Sequence, residues 1–226
     1  MSSLSSNPTP GYIVANRGNP TINAQHILHG YLQFNAGNYQ DAMLTFQLTE
    51  ADPLQILSLF PDVLPASLGQ PSMAGKKSPF SSLPPIETQI HPVQVQKVQG
   101  EERLFNALSA LIPYLAQIQN RLRLSLEEKG FGKSGYANTN DDSTGKRAGK
   151  SSHTPNKPVD PAHDPNLALA ILVDTVLLKA YLLCAIPLLQ FLSSPNNLCD
   201  IDECANILRA YEKYPELIAF YKSVNK

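Results

Sequence analysis

Two lysines in this 226-residue chain, Lys133 and Lys150, sit between a glycine and a serine, which is the ending of a loop that cradles phosphate. Such a loop needs two glycines with four residues between them, so that backbone N–H groups wrap the phosphate before the lysine reaches it. Upstream of Gly132 the required place holds Glu127, and upstream of Gly149 the nearest glycine, Gly145, is one residue too close. Neither triplet follows a strand pattern, so both read as parts of a Gly, Lys and Ser linker. His26 and His29 have a spacing that can turn two imidazoles toward one metal, but no third ligand accompanies them and a zinc site needs at least three from the protein. Cys199 and Cys204 lack the second pair that a zinc hairpin needs and read as half-buried structural cysteines. No GxSxG is present, and His91, His153 and His163 fall in stretches with nothing to orient them. The expectation is a chain without catalysis, metal or cofactor.

Composition narrows the classes further. Lys and Arg total 18 against 19 Asp and Glu, for a net charge of −1, without the basic excess that releases counterions from a phosphate backbone; no nucleic acid is expected as a partner. Three cysteines, an odd count with no CxxC, point to a reducing compartment. Met1 to Pro10 has neither a basic nor an apolar run, so it does not read as a signal peptide. Leu167 to Leu192 is apolar enough to raise a membrane span, but Asp174 and Lys179 lie inside it and Pro187 breaks it. Each central charge costs about 2.5–3.5 kcal/mol on insertion, so the stretch reads as a buried helix.

The elements that would position any site are helices. Thr21 can cap a first helix carrying Ala24, Ile27, Leu28, Tyr31 and Leu32 on one face, with Gly37 as its stop. A second carries Tyr39, Ala42, Met43 and Phe46, and a third opens at Asp52 as cap with Pro53 behind it. Glu101 to Lys129 is the longest, with Leu104, Leu108, Leu111, Leu115, Ile118 and Leu122 as its stripe; Pro113 should kink or split it. Asp164 and Pro165 open a helix to about Cys184, a short one reaches Leu192, Asp200 with Glu203 forms a capping box, and Pro215 opens the last helix. Two antiparallel helices and the start of a third are the unit of an α-solenoid. A stacked array needs covered ends, so the last helix is expected to be covered by a partner or by further chain.

The expected plan is a disordered N-terminus (1–20), a helical repeat (21–64), a Pro-rich linker (65–100) with an extended piece near Val93, Val95 and Val98, a long helix (101–129), a disordered insert (130–163) and helical repeats (164–226). The helix around Asp174 to Leu182 is expected to pack on the long helix with Leu178 in the seam. Asp174 and Lys179 read either as the edge of the buried stripe, with the Lys stem snorkelling, or as a polar pair facing a partner.

Phe34 to Met43, with Phe46, resembles the inter-helix turn of clathrin-type and tetratricopeptide-type repeats. Followed by Asp52-Pro53 and Leu59 to Pro65, it is similar to the vacuolar protein sorting-associated protein 39 and TGF-β receptor-associated protein family. Val173 to Leu182 resembles that family's signature helix after a variable insert, and Asn196 to Cys199, then Ala210 to Ile218 and Tyr221, continue the likeness. The resemblance implies an all-α, clathrin-repeat or TPR-like α-solenoid segment of a HOPS or CORVET tethering subunit. It implies other tethering-complex subunits and a Rab-type small GTPase as partners. Localisation would be cytoplasmic, peripheral on late endosome and lysosome or vacuole membranes through those partners. Its signature or packing residues here would be Gly37, Tyr39, Ala42, Phe46, Asp174, Thr175, Leu178, Lys179 and Tyr181. A generic TPR-like adaptor and a nucleotide-binding enzyme are the alternative readings; the first wants a repeat of about 34 residues, a period not found here.

The Pro-rich and polar segments should be the weak points of the chain. Limited proteolysis is expected to cut first within about Pro65 to Val98 and Gly130 to His163; early cuts within Leu167 to Leu183 would break the plan.

Overall fold

A computed structural model describes residues 20–68, 78–86, 100–129, 164–194 and 196–224. The expected extended piece near Val93 to Val98, the disordered N-terminus and the insert at 130–163 lie outside the described residues. The fold is all-α: α1 (Pro20–Asn35), α2 (Tyr39–Leu48), α3 (Pro53–Leu57), α4 (Glu101–Glu128), α5 (Pro165–Leu183), α6 (Leu189–Leu192), α7 (Ile201–Ala210) and α8 (Tyr214–Val224), with a 3-10 turn at Pro61–Val63. No strand occurs among the described residues.

Side-chain caps explain three of the starts. Asp52 accepts from the Leu54 amide at 2.9 Å with Pro53 in the first turn, Asp164 from the Asn166 amide at 2.9 Å, and Asp200 from the Glu203 amide at 2.8 Å. Each carboxylate satisfies an N–H that the first helical turn leaves without a carbonyl. The first helix differs from expectation: it begins at Pro20, so Thr21 lies inside its first turn instead of capping it. Proline's fixed φ suits the first helical position, which moves the start one residue upstream. α4 also runs unbroken through Pro113. Leu108, Leu111 and Leu115 are all fully buried around it, and that packing outweighs the single backbone bond that the proline removes.

Three helix stops share one device. After α1 the Asn38 amide bonds the Gln33 carbonyl (2.9 Å) and the Gly37 amide bonds the Phe34 carbonyl (3.0 Å), with Gly37 at φ +84°. The same pair of bonds closes α2 around Glu50 (φ +52°) and α7 around Glu212 (φ +55°). Only the first of these left-handed residues is a glycine, so only that stop was visible in the sequence.

Chain contacts divide the molecule into two compact units. Of the described residues, the first holds 20–64, 85–86, 100–118 and 183–185. Its α1–α2 hairpin is closed by aromatic rings, Tyr31 on Phe46 (4.9 Å) and Phe34 on Tyr39 (5.1 Å), and Phe34 also meets Phe60 beyond α3 (5.6 Å). Tyr31, Phe34, Ala42, Phe46 and Phe60 are all buried. Of the described residues, the second unit holds 65–68, 78–84, 119–129, 164–182, 186–194 and 196–224, so the long helix gives its first eighteen residues to one unit and the remainder to the other. There α5 lies against the later part of α4, where Leu167, Ala170 and Ile171 meet Leu122 and Leu126. Leu178 is fully buried but sits outside that seam. It joins Leu188, Leu192, Cys204, Leu208 and Phe220, the core made with α6, α7 and α8. Leu178 lies eleven residues beyond Leu167, about three helical turns, so it meets a different layer.

Gly30 sets the approach of α1 to α2. A Cβ there would stand 2.6 Å from Cε1 of Phe46, and Phe46 is enclosed on all sides. Gly30→Ala is therefore expected to destabilise by roughly 1–3 kcal/mol, despite the better helix propensity of alanine. A Tm equal to or above that of the wild type would show that the hairpin can open without cost.

Candidate interaction site

α5 has eleven buried residues of its nineteen. It is also the one described helix long and apolar enough to cross a membrane; its burial among other helices and the ionic groups it carries make it a core helix. Asp174 stands in its middle with 1% exposure. A buried carboxylate is tolerated only when its oxygens are satisfied. Here the Leu198 amide donates to Oδ2 at 2.8 Å, Gln119 Nε2 donates to Oδ1 at 2.6 Å, and an Arg123 terminal nitrogen stands 3.6 Å from Oδ2. Burial pushes the carboxyl above its ordinary range, and the Leu198 and Gln119 hydrogen bonds and the Arg123 charge offset this only in part.

The next residue repeats the device. Thr175 Oγ1 donates to the Ile171 carbonyl at 2.7 Å and accepts from the Asp200 amide at 3.0 Å. Asp174 and Thr175 together take the alternate amides of residues 198 and 200, which pins the loop between α6 and α7. Asn197 stiffens that loop, accepting from the Cys199 amide (2.9 Å) and donating to the Phe191 carbonyl (3.2 Å). One turn on, Lys179 Nζ meets Glu203 Oε1 at 2.9 Å, and the same oxygen accepts from the Ala66 amide at 3.1 Å. Tyr181 packs edge-on to Phe191 at 5.3 Å.

The polar pair of the sequence reading is thus neither a stripe edge nor a pair facing outward. Asp174 lies inside the second unit, and Lys179 is tied to α7. Sequence reading missed Gln119, Arg123 and the double role of Glu203. Gln119 lies 55 residues from Asp174 and Glu203 lies 137 from Ala66, and no local pattern marks them. Of the other candidates, Gly37, Tyr39, Ala42 and Phe46 come together in the α1–α2 hairpin of the first unit, whereas Thr175, Leu178, Lys179 and Tyr181 come together around α5 in the second.

The residues weighed for chemistry do not assemble. His26 and His29 lie on α1, half-buried and exposed respectively, and among the described residues no group of three His, Cys, Asp or Glu could hold a metal ion. Lys133, Lys150, His91, His153 and His163 lie outside the described residues. Cys199 and Cys204 are both buried within the α5 to α8 core, more deeply than the half-buried reading held. Burial, then the neighbouring Cys204 thiol, drives the Cys199 thiol far above its ordinary range. Such a thiol is a poor nucleophile and a poor metal ligand.

This arrangement defines a class: an all-α helical array in which the α6–α7 loop is tied to a buried helix by polar side chains. Residues 173–226, which begin in the middle of α5, match the family described as vacuolar sorting protein 39 domain 1, and the resemblance to that family is thereby shown. The chain is similar to the Vam6/Vps39-like proteins of Mus musculus and Homo sapiens, 26% identical to each over 196 residues, which is 86% of this chain and 18% of either relative. It is also 26% identical over 210 residues to the vacuolar protein sorting-associated protein 39 homolog of Drosophila melanogaster, covering 91% of this chain and 18% of that relative. The chain thus spans about a fifth of the length of these relatives. No solved structure matches.

Replacing Asp174 separates its structural role from its charge. Asp174→Leu removes the acceptor for Leu198 and Gln119 and strands Arg123, at a cost of roughly 3–5 kcal/mol; Asp174→Asn keeps an acceptor and should cost about 1–2 kcal/mol. Because the folded carboxyl titrates above its unfolded value, the folded state binds more protons between the two values. Its contribution to stability therefore rises as pH falls through the folded pKa and is lost as pH climbs back through it. The stability gap between wild type and Asp174→Asn, read by urea unfolding, should widen from about pH 7 toward about pH 4. A gap that narrows on acidification would mean that Arg123 holds the carboxyl low.

Proposed function

We propose that the chain is a non-catalytic helical scaffold segment acting in vesicle-mediated protein sorting to the vacuole or lysosome, as part of a tethering assembly. The observation that carries this reading is the use made of the family-matched stretch. Its polar residues Asp174, Thr175 and Lys179 are spent on holding the α6–α7 loop and α7 in place, which is work that builds a surface of stacked helices. A scaffold of this kind offers partners rigid helix faces. The proposed partners are other tethering-complex subunits of the HOPS or CORVET type and a Rab-type small GTPase. The chain would work in the cytoplasm and reach late endosome and lysosome or vacuole membranes through them. The domain plan belongs to the same proposal: a helical repeat at 21–64, then linkers at 65–100 and 130–163 around the helix 101–129, with repeats at 164–226.

Affinity purification of the full chain from cell lysate, with co-purifying proteins identified by mass spectrometry, tests the reading. Tethering-complex subunits should be recovered with the wild type, and their recovery should fall with Asp174→Leu, which loosens α7 from α5. Recovery of proteins outside trafficking, with no tethering subunit among them, would overturn the assignment in favour of a general helical adaptor.

A further inference from the structure

α7 begins on two thiols. Its cap is Asp200, so Cys199 stands one residue before the cap and Cys204 is the fourth residue of the helix. Side chains at these two positions pack on each other across a helix start and fix the angle at which the chain enters. Both belong to the core with Leu178, Leu192, Leu208 and Phe220, and neither is in a disulfide. The Cys199 thiol shares a hydrogen bond with that of Cys204, which sets the two sulfurs against each other. Two aliphatic side chains would staple the helix start equally well. Two thiols add a bond that can be made and broken.

The turn between them is where the ties of the second unit converge. It holds Asp200, whose amide donates to Thr175, and Glu203, whose carboxylate meets Lys179 and the Ala66 amide. The Cys199 amide is held by Asn197, and that of Leu198 by Asp174. While these ties hold, Cys199 is 7% exposed and Cys204 not at all, and burial keeps the Cys199 thiol protonated. An oxidant reaches the pair only through local opening of the α6–α7 loop. Cys199 lies on that loop, so it is met first. We propose that Cys199 and Cys204 are a modification site: when the loop opens in the presence of a small disulfide such as oxidised glutathione, they join in a reversible disulfide that locks the loop to the first turn of α7. The Cys199 thiolate attacks one sulfur of oxidised glutathione, whose S–S bond breaks and releases one glutathione thiolate. The Cys204 thiolate then attacks the Cys199 sulfur of this mixed disulfide and displaces the second. The two protons lost by the cysteines go to the two departing thiolates. Two cysteines are oxidised and one oxidised glutathione is reduced to two glutathiones.

The inference stands on the start of α7 and not on the proposed role in sorting. The full chain is equilibrated in buffers of increasing ratio of oxidised to reduced glutathione, quenched with acid and read by mass spectrometry. The chain should lose the mass of two hydrogen atoms, reversibly, and cleavage after Glu203 should give two fragments that separate only on reduction. Cys184→Ser should leave this linkage unchanged. Cys204→Ala should stop at the first step and carry one glutathione on Cys199. Thr175→Val, which frees the Asp200 amide from α5, should speed formation of the disulfide severalfold. The cross-linked chain should melt on the order of 5 °C above the reduced one, because the bond restricts the unfolded chain. Free Cys199 and Cys204 at the most oxidising ratio, glutathione on Cys184 alone, or a cross-linked chain that melts below the reduced one would each overturn the proposal.

Discussion

The second unit depends on the satisfaction of one buried carboxylate. Asp174 sits in the middle of an otherwise apolar helix, where an unpaired charge would cost more than several leucines could return. Its two oxygens are met by a backbone amide from the α6–α7 loop and a side-chain amide from α4, with a guanidinium further off. Those donors come from parts of the chain that share no local structure. The carboxylate therefore acts as a condition on the fold: α4, α5 and the loop must all be in place for any of them to be tolerable there. Non-directional burial does not discriminate in this way, because one leucine can replace another against a helix face, whereas a carboxylate accepts donors only at hydrogen-bonding distance.

Thr175 and Lys179 extend the condition outward along the helix. The threonine hydroxyl spans its own helix and the loop, donating to Ile171 and accepting from Asp200. Asp200 is in turn the cap of α7, so the start of that helix is fixed both by its own side chain and by α5. Glu203 then serves three elements at once, through its backbone amide to the cap, and through its carboxylate to Lys179 and Ala66. A loop that elsewhere would be the mobile part of a helical array is here among its better-held parts. The apolar core made by Leu178, Leu192, Cys204, Leu208 and Phe220 lies beneath it, and the polar ties determine which helix faces reach that core.

The α1–α2 hairpin of the first unit is organised by ring packing. It closes because Gly37 admits the left-handed turn and Gly30 lets the Phe46 ring approach the α1 backbone. The two glycines do different work: the first supplies a backbone conformation and the second supplies room. Their roles are equal in consequence but unequal in legibility. A glycine after an apolar periodic stretch reads as a stop, whereas a glycine within one reads only as a weak helix former until the facing residue is known.

What the sequence determined by itself was local. Apolar spacing marked the helices, Asp52, Asp164 and Asp200 marked three of their starts, and the spacing of glycines and ligands removed the phosphate loop and the metal hairpin, because each of these rests on residues within a few turns of one another. The tertiary structure decided what lies far apart in the chain. It moved Leu178 from the α4 seam to the α6–α8 core, carried α4 intact through Pro113, put Glu50 and Glu212 into left-handed stops that their types do not announce, and turned Asp174 and Lys179 inward. The physical reason is common to all of these. A helix face is written in the period of the sequence, but the identity of the neighbour that meets it, and the hydrogen bonds that a buried charge must find, are fixed only when distant segments are brought to within a few ångströms.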